Sequence, residues 1–323
     1  MADLRTATLQ SSGEDRRYQR VLLLLVMASV MAFGSMMTIV TVALGRLATD
    51  LDSTRATLTW AVTGLMLAMA VATPLSGKLG DVRGHRKVFL VGLAGCVVTT
   101  VACGLAWNAA SLIAFRALFG LAGALVVPNS MSLMMHAYGP ERRATAMGWF
   151  QFAMTGAPTI GLVIGGPLID TIGWRNLFFA FAAITAAALV ASLRLLRPTP
   201  VRASHHIDYR GGITLGVAVL AALLAITRVT VLLRDEGVTT AAIDGLFWLL
   251  VLGAVAGIVI FVRTERTAPE PMLKLEYFSK PNFTLPMLSS ALVQFAYMGG
   301  FVVVPALLED QYLWTLGGIA VLL

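Results

Sequence analysis

Charge is scarce in this sequence. Charged residues make up 13% of the 323-residue chain and hydrophobic residues 58%, whereas a soluble domain carries roughly 25% charged residues. The mean hydropathy is +0.81, and the charges fall between apolar runs about as long as the ~20 residues with which a helix crosses a bilayer. These features exclude an ordinary soluble chain and indicate an integral membrane protein, with the lipid bilayer as its main partner.

Side chains and motifs that carry catalysis or bind metals are scarce too. The two cysteines, Cys96 and Cys103, lie seven residues apart in one apolar run, so we interpret them as packing residues on one helix face. His205 and His206 have no further His or Cys near them in the sequence, which favours solvated loop histidines over a zinc site. The motifs of zinc proteases, nucleophile elbows and phosphate-binding loops are absent from the sequence. We therefore expect no enzymatic activity, no cofactor and no metal site.

Hydropathy predicts nine membrane-spanning helices, at residues 21–44, 57–76, 88–107, 111–135, 144–170, 174–196, 211–232, 245–262 and 283–308. A further apolar stretch from Leu313 to Leu323 is too short to cross a bilayer. The chain is thus expected to stop inside a helix, truncated after the ninth span.

The basic residues are distributed asymmetrically around these spans. Of the 24 Lys and Arg residues, 18 fall in the N-terminal tail and in the loops on its side, four on the other side and two inside spans. Positive charge collects on the cytoplasmic side of membrane proteins, so the N-terminus is predicted to be cytoplasmic and the net charge of +7 requires no nucleic-acid partner. Short outer turns and the lack of a targeting presequence favour a multi-pass protein of a bacterial inner (plasma) membrane.

Basic, proline-containing segments divide the spans into groups, as is typical of linkers. We predict a cytoplasmic tail, an N-terminal group of six spans, a cytoplasmic linker, an inserted helix pair, a cytoplasmic connection and the start of a further group. These segments comprise residues 1–20, 21–197, 198–210, 211–263, 264–282 and 283–323, in that order.

The stretch "GKLGDVRGHRK" from Gly77 to Lys87, here called the latch segment, lies between the second and third spans. A positively charged cytoplasmic turn would account for some of it. Its glycines permit a tight reversal and close helix approach, its aspartate accepts hydrogen bonds, and its basic residues pair with that aspartate or with headgroups. The residues concerned are Gly77, Gly80, Gly84, Asp81, Arg83, Arg86 and Lys87.

The order of these residues resembles the signature loop of the major facilitator superfamily of secondary transporters. The resemblance implies that the segment is a cytoplasmic latch between two six-span halves. It also implies that Asp81 bonds near a helix terminus of the opposite half and that the basic residues form a charge relay, for which Glu141 is a candidate partner.

In the fourth span, "RALFGLAGALVVPNS" from Arg116 to Ser130 is similar to the superfamily's second motif. A charge inside a span is costly and is by default a hypothesis for a functional site. Two interpretations of Arg116 remain open: a group that takes part in coupling, or a structural arginine bonded to carbonyls of neighbouring helices.

The fifth span carries "GAPTIGLVIGGPLIDTIGWRN", residues 156–176, similar to the Gly-Pro-x-x-Gly-Gly motif of exporters in this superfamily. Leu162 stands where the motif has proline, and Pro158 lies one turn earlier, so a kink is still expected. Small residues at a spacing of four let helices approach closely. The predicted kink and packing residues are Gly156, Pro158, Gly161, Gly165 and Gly166.

The order of spans is similar to that of the 14-span drug:proton antiporter branch, in which an inserted helix pair separates two six-span halves. That branch carries "LDxTIVNVALP" in its first span, where this chain has "SMMTIVTVALG", so Met36 replaces the aspartate. None of the 17 acidic residues falls deep inside a predicted span, although proton coupling needs a group that titrates within the pathway. Arg116, Asp81 and His136 remain as weaker candidates for coupling.

The resemblance implies an all-α integral membrane protein. It comprises the superfamily's N-terminal six-helix half, two inserted helices and the start of the C-terminal half. The implied function is export of small amphipathic or cationic compounds, such as drugs or toxic metabolites, in exchange for protons by alternating access. The alternative is a membrane protein with no transport activity of its own, a relic or an assembly partner. Helix faces that lack a second half would favour self-association.

Overall fold

A computed structural model describes residues 2–199, 209–235, 245–267 and 275–312. The described chain is all-helical, which confirms the predicted fold class. Each of the nine predicted spans overlaps one of the α-helices. The helices are α1 (Ala2–Asp50), α2 (Arg55–Arg83), α3 (His85–Gly104), α4 (Ala109–Ala137), α5 (Pro140–Ile172), α6 (Trp174–Leu195), α7 (Tyr209–Asp235), α8 (Gly245–Thr267) and α9 (Pro281–Tyr312), with a short 3₁₀ helix at Leu275–Ser279.

Seven of the described helices are long and apolar enough to cross a membrane, or eight if the bent helix α5 counts as one span. They lie in α1 to α4 and α6 to α8, so the chain is a multi-pass membrane protein. The predicted ninth span lies in α9, which is not among these helices over its described residues, and it stays a prediction. Most of the predicted linker 198–210 and the stretch from Leu313 onward lie outside the described residues.

The chain divides into two units, Met1–His205 and His206–Leu323, and the boundary falls within the predicted linker. In the first unit α1 packs along α5, α2 along α4, and α3 against both α4 and α6. The largest fully buried side chains of this unit include Arg116, Phe89, Phe119, Phe178, Leu22, Met36, Leu65 and Leu112. The core of this unit is therefore largely apolar, and Arg116 is the largest of its buried polar side chains, which also include Asn129, Ser76 and His85.

Local capping explains where these helices begin. The Thr54 hydroxyl accepts the Thr57 amide at 3.1 Å and starts α2. Asn108 and Ser111 form a reciprocal capping box at the start of α4, with the Ser111 amide 2.8 Å from Asn108 Oδ1. Such caps satisfy backbone donors that a helix start leaves free, and they keep the turns between helices short.

In the second unit α7 and α8 form an antiparallel pair. Gly257 lies against Ala218, where an added Cβ would be 2.8 Å from the alanine Cβ, and Gly253 faces Ala221 at 3.9 Å. Small residues at both positions let the two backbones approach. The described side chains of α9, up to residue 296, are almost all exposed.

Two details differ from the sequence-based expectations. The predicted tail, residues 1–20, is helical from Ala2 and continuous with the first span. The latch segment, expected as a loop, is helical on both sides of Gly84. Gly84 alone makes the reversal, because its φ of +89° lies in a region that favours glycine.

Candidate functional site

Arg116 lies in the middle of the first unit and is fully buried. Its Nη1 donates to the Met36 carbonyl at 3.0 Å and its Nη2 to the Met37 carbonyl at 3.0 Å, both on α1. Its Nε donates to the Ala61 carbonyl on α2 at 3.4 Å. One guanidinium on α4 therefore ties together three helices through backbone oxygens.

The surroundings of this guanidinium are apolar and aromatic. Its Cζ lies 5.5 Å from the centre of the Phe119 ring, and the Phe33 ring stacks on Phe119 at 5.1 Å. The side chain of Met36 is also buried. The position at which the antiporter branch carries its aspartate thus supplies this chain's Arg116 with a carbonyl, not a carboxylate.

The seam between α1 and α5 is formed by glycines and hydroxyls. A Cβ added at Gly161 would meet the Ser35 carbonyl oxygen at 2.5 Å and the Thr38 hydroxyl. The Thr38 hydroxyl donates to the Pro158 carbonyl at 2.9 Å, and Ser35 donates to the Ala157 carbonyl at 2.9 Å. Two hydroxyls of α1 therefore donate to consecutive carbonyls of α5 at the position where a proline lies inside that helix.

The other members of the predicted packing motif differ in their contacts. A Cβ at Gly165 would lie 3.4 Å from Ile39 Cγ1, and one at Gly166 would lie 3.6 Å from Val42 Cγ1. At Gly156 an added Cβ would meet nothing within 4 Å. The close approach of α5 to α1 is therefore greatest at Gly161, and α5 bends by 41° between the segments Pro140–Gly161 and Val163–Ile172.

The latch segment also has one crowded glycine and one open glycine. A Cβ at Gly80 would collide with Asn129 Oδ1 of α4 and with His85 Nδ1, whereas one at Gly77 would meet nothing within 4 Å. Gly80 is thus the position at which α2 approaches α4 and the start of α3. Gly77 makes no such approach.

A buried polar network surrounds Gly80. Asn129, fully buried, donates from Nδ2 to the Leu125 carbonyl at 2.8 Å and to the Ser76 hydroxyl at 3.0 Å. Its Oδ1 lies 2.9 Å from His85 Nδ1. On the other side of the imidazole, His85 Nε2 lies 3.3 Å from Asp81 Oδ1. Side chains from α2, α3 and α4 therefore meet in one chain of hydrogen bonds.

The basic residues of the latch segment point in different directions. Arg86 donates from Nη2 to the Leu193 carbonyl at 2.9 Å, near the end of α6. Arg83 and Lys87 are exposed. Glu141 lies in the first turn of α5, and no ion pair links it to the latch segment among the described residues, so the proposed relay stays a prediction.

The same end of the first unit is closed around Tyr138, which follows α4. Its hydroxyl donates to the Gln19 carbonyl at 2.7 Å, and Gln19 Nε2 donates to the Ala137 carbonyl at 2.9 Å. Burial raises the pKa of the Tyr138 phenol, and Arg142 opposes that shift. A cavity of about 440 Å³ lies beside this contact, between residues 15–19 of α1 and the start of α5.

At the opposite end of the first unit, Trp174 and Arg175, near the end of the exporter-like stretch, connect the ends of neighbouring helices. Trp174 Nε1 donates to Asp50 Oδ2 at 2.8 Å. Arg175 donates to the Gly104 carbonyl at 2.9 Å and lies 4.3 Å from the Trp174 ring. Arg46 pairs with Asp170 at 3.0 Å, and both are exposed. These contacts fix the end of α1 to the α5–α6 turn.

Sequence reasoning did not single out His85, Asn129 or Ser76 as site residues. Each carried a signal: His85 stands four residues after Asp81, and Asn129 is a polar side chain in an apolar span, where polar groups are costly. No group of three or more His, Cys, Asp or Glu side chains suited to a metal occurs in the described ranges. Cys96 and Cys103 are buried free thiols.

The model of the family "Major Facilitator Superfamily" matches residues 24–323 of the chain. The chain is 32% identical over 295 residues to the tetracenomycin C resistance and export protein of Streptomyces glaucescens, covering 90% of this chain and 53% of that protein. It is 29% identical to the multidrug export protein EmrB of Haemophilus influenzae, covering 86% of this chain and 53% of that protein.

A third relative is the multidrug transporter protein MdtP of Bacillus subtilis. The identity is 29%, over 93% of this chain and 54% of that protein. The chain therefore spans about half the length of these relatives, all of which are named for export, resistance or multidrug transport.

Proposed function

The chain belongs to the Major Facilitator Superfamily, and we propose that it acts in the export of small amphipathic or cationic compounds in exchange for protons, by alternating access. Transporters of this superfamily are not enzymes. Relatives named for multidrug export and antibiotic resistance favour the proposal. Because the chain spans about half the length of those relatives, transport by this chain is itself part of the proposal.

We place the protein in the inner (plasma) membrane with its N-terminus in the cytoplasm. The distribution of Lys and Arg supports this orientation, with 18 of 24 on the N-terminal side. The latch segment and the Tyr138 contact then face the cytoplasm, and the contact of Trp174 with Asp50 faces outward.

The observation that carries the proposed function is the environment of Arg116. A buried cation in a span is costly, so Arg116 is by default a candidate for a functional group. Its partners are carbonyls of α1 and α2, so Arg116 holds α4 against both of these helices. Arginine rarely gives up its proton, so we assign Arg116 to setting the charge and position of α1, and the exchanging proton to another group.

The latch segment is proposed to act at the cytoplasmic ends of α2 and α3. Gly84 provides a one-residue break between the two helices, and Arg86 links the start of α3 to the end of α6. A movement of α2 relative to α4 would therefore be transmitted to α3 and α6. We propose that Asp81 and the exposed Arg83 and Lys87 interact with the second half of a transporter during closure.

Export is tested by dye accumulation in cells that express the chain. Expressing cells should accumulate less of at least one fluorescent cationic dye than cells with an empty vector, and Arg116→Ala should abolish that difference. Arg46→Ala, which removes an exposed arginine near the C-terminal end of α1, is the matched control. This variant should retain the difference in dye accumulation. Equal accumulation in expressing and empty cells across a dye panel would contradict export by this chain.

One observation favours a second candidate function, an assembly partner without transport activity. The described apolar side chains of α9 are widely exposed, with Leu292 at 69% and Phe295 at 80%. Exposed helix faces in a membrane are available to other helices, including those of a second copy. Cross-linking in native membranes followed by gel electrophoresis should give a dimer band if the chain self-associates, and monomer alone would contradict it.

A further inference from the structure

The cavity of about 440 Å³ beside Tyr138 lies between two walls that hydrogen bonds hold together. One wall is residues 15–19 of α1, and the other is residues 139–142, the turn from α4 into α5. The Tyr138 hydroxyl donates to the Gln19 carbonyl at 2.7 Å, and Gln19 Nε2 donates to the Ala137 carbonyl at 2.9 Å. The walls are therefore fixed before any ligand binds, which lowers the entropic cost of binding.

Charged side chains of both signs line this cavity. Arg16 and Arg142 bring one guanidinium from each wall, and Glu141 brings a carboxylate from the first turn of α5. Within the described ranges, none of these three side chains is in an ion pair, whereas Asp15, the other carboxylate at the cavity, pairs with Arg197 at 3.3 Å. Two guanidiniums and one carboxylate are thus available to a ligand.

The cavity lies at the depth of lipid headgroups. Hydropathy starts the first span at residue 21 and the fifth at residue 144, so the charged lining comes just before both spans. Leu23 follows Arg16, and Trp149 follows Arg142, by seven residues, which places each about two turns deeper on the same helix face. Leu23 is partly exposed and Trp149 is 50% exposed. An apolar surface for an acyl chain therefore continues from the charged cavity.

The lining selects a headgroup that carries a phosphate. Guanidiniums bind phosphate through two parallel hydrogen bonds, and Arg16 and Arg142 reach the cavity from opposite walls. The N-cap residue of α5, Gly139, supplies no side-chain cap, so the positive end of the helix dipole also favours an anion there. Basic pockets between membrane helices on the cytoplasmic side are typical sites for headgroups.

Glu141 selects the second group of the headgroup. A primary ammonium donates charge-assisted hydrogen bonds to a carboxylate, roughly twice as strong as those from the neutral hydroxyls of a glycerol headgroup. A choline headgroup has no N–H to donate, and proteins recognise it with aromatic rings, of which the described lining of this cavity has none. The favoured headgroup therefore combines a phosphate with a primary ammonium, as in phosphatidylethanolamine.

We propose that this cavity is a binding site for phosphatidylethanolamine, with the phosphate on Arg16 and Arg142 and the ammonium on Glu141. The bound lipid joins the first turns of α1 before its span to the start of α5, and so stabilises this end of the first unit. The choice of the inner leaflet rests on the proposed orientation of the chain. The recognition of the headgroup depends on neither that orientation nor transport.

Native mass spectrometry of the full chain counts bound lipids directly. The probes are phosphatidylethanolamine, phosphatidylcholine and phosphatidylglycerol with identical acyl chains. We expect wild type to bind phosphatidylethanolamine more tightly than the other two, by about twofold to fivefold, as is usual for an exposed ion pair. Glu141→Gln should abolish that preference, and Arg142→Gln should weaken the binding of all three lipids.

Matched controls change charges that do not line the cavity. Arg17→Gln removes an exposed arginine next to Arg16, and Asp170→Asn removes an exposed carboxylate at the other end of α5. Both variants should bind phosphatidylethanolamine as wild type does.

Equal binding of phosphatidylethanolamine and phosphatidylcholine by wild type overturns the proposal, even if a variant does not fold. So does a preference for phosphatidylglycerol, or a preference for phosphatidylethanolamine that persists in folded Glu141→Gln. Dye transport by the same preparations tests export separately. Selective lipid binding without transport would contradict export and leave the lipid site standing, whereas transport without selective binding would do the reverse.

Discussion

The guanidinium of Arg116 donates to the carbonyl of Met36 across 3.0 Å. The antiporter branch that this chain resembles carries an aspartate at the position of Met36, whereas the partners of the buried cation in this chain are backbone carbonyls. Restoring the carboxylate should change how the two helices interact.

Met36→Asp should therefore place a titratable group against Arg116 and make dye efflux more dependent on external pH. The physical reason is that a carboxylate can bind and release a proton within the span, whereas a thioether carries no titratable proton. The measurement is efflux rate against pH for wild type and variant. Met37→Asp is the control, because its side chain lies about 100° further around α1; an identical pH profile for wild type and Met36→Asp would count against this role of position 36.

Substitution of Gly161 by alanine should destabilise the protein, because the new methyl group meets the Ser35 carbonyl at 2.5 Å. Overpacking of this kind costs roughly 1–3 kcal/mol. Gly156→Ala is the matched control, since its Cβ enters open space and alanine favours the helix by up to ~1 kcal/mol. Thermal unfolding in detergent, followed by size-exclusion chromatography, should show a lower midpoint for Gly161→Ala only; equal midpoints would refute the close approach of α1 and α5.

A parallel pair tests the latch segment. Gly80→Ala should disturb the Asn129 and His85 contacts and lower the unfolding midpoint, whereas Gly77→Ala, with no atom within 4 Å of its Cβ, should not. If both variants unfold at the wild-type temperature, the close approach of α2 to α4 at Gly80 is contradicted.

The two native cysteines are buried, so single engineered cysteines report the orientation of the chain without a background signal. Ala110 is exposed at the start of α4 and Lys87 is exposed near the start of α3. With the N-terminus in the cytoplasm, a membrane-impermeant maleimide should label Ala110→Cys in intact cells and Lys87→Cys only after permeabilisation. The reverse pattern would invert the proposed topology.

Much of the fold was predictable from sequence because apolar runs and their charged boundaries define helices in a membrane. The close seam at Gly161 also followed from its small-residue spacing. Carbonyls of neighbouring helices were one of the two interpretations given for Arg116, but the particular carbonyls, those of Met36, Met37 and Ala61, were not predictable, because backbone carbonyls are common to every residue and leave no sequence signal. The contact of Gly80 with Asn129 was not predictable either, because the two residues lie far apart in the chain.

Flux into proteoliposomes tests most directly whether this chain exchanges an amphipathic or cationic compound for protons. Liposomes containing the purified chain are given an acidic lumen and an external fluorescent cationic dye. We expect dye uptake above that of protein-free liposomes, abolished by a protonophore and strongly reduced by Arg116→Ala but not by Arg46→Ala. Uptake equal to that of protein-free liposomes at every imposed pH gradient would contradict the account.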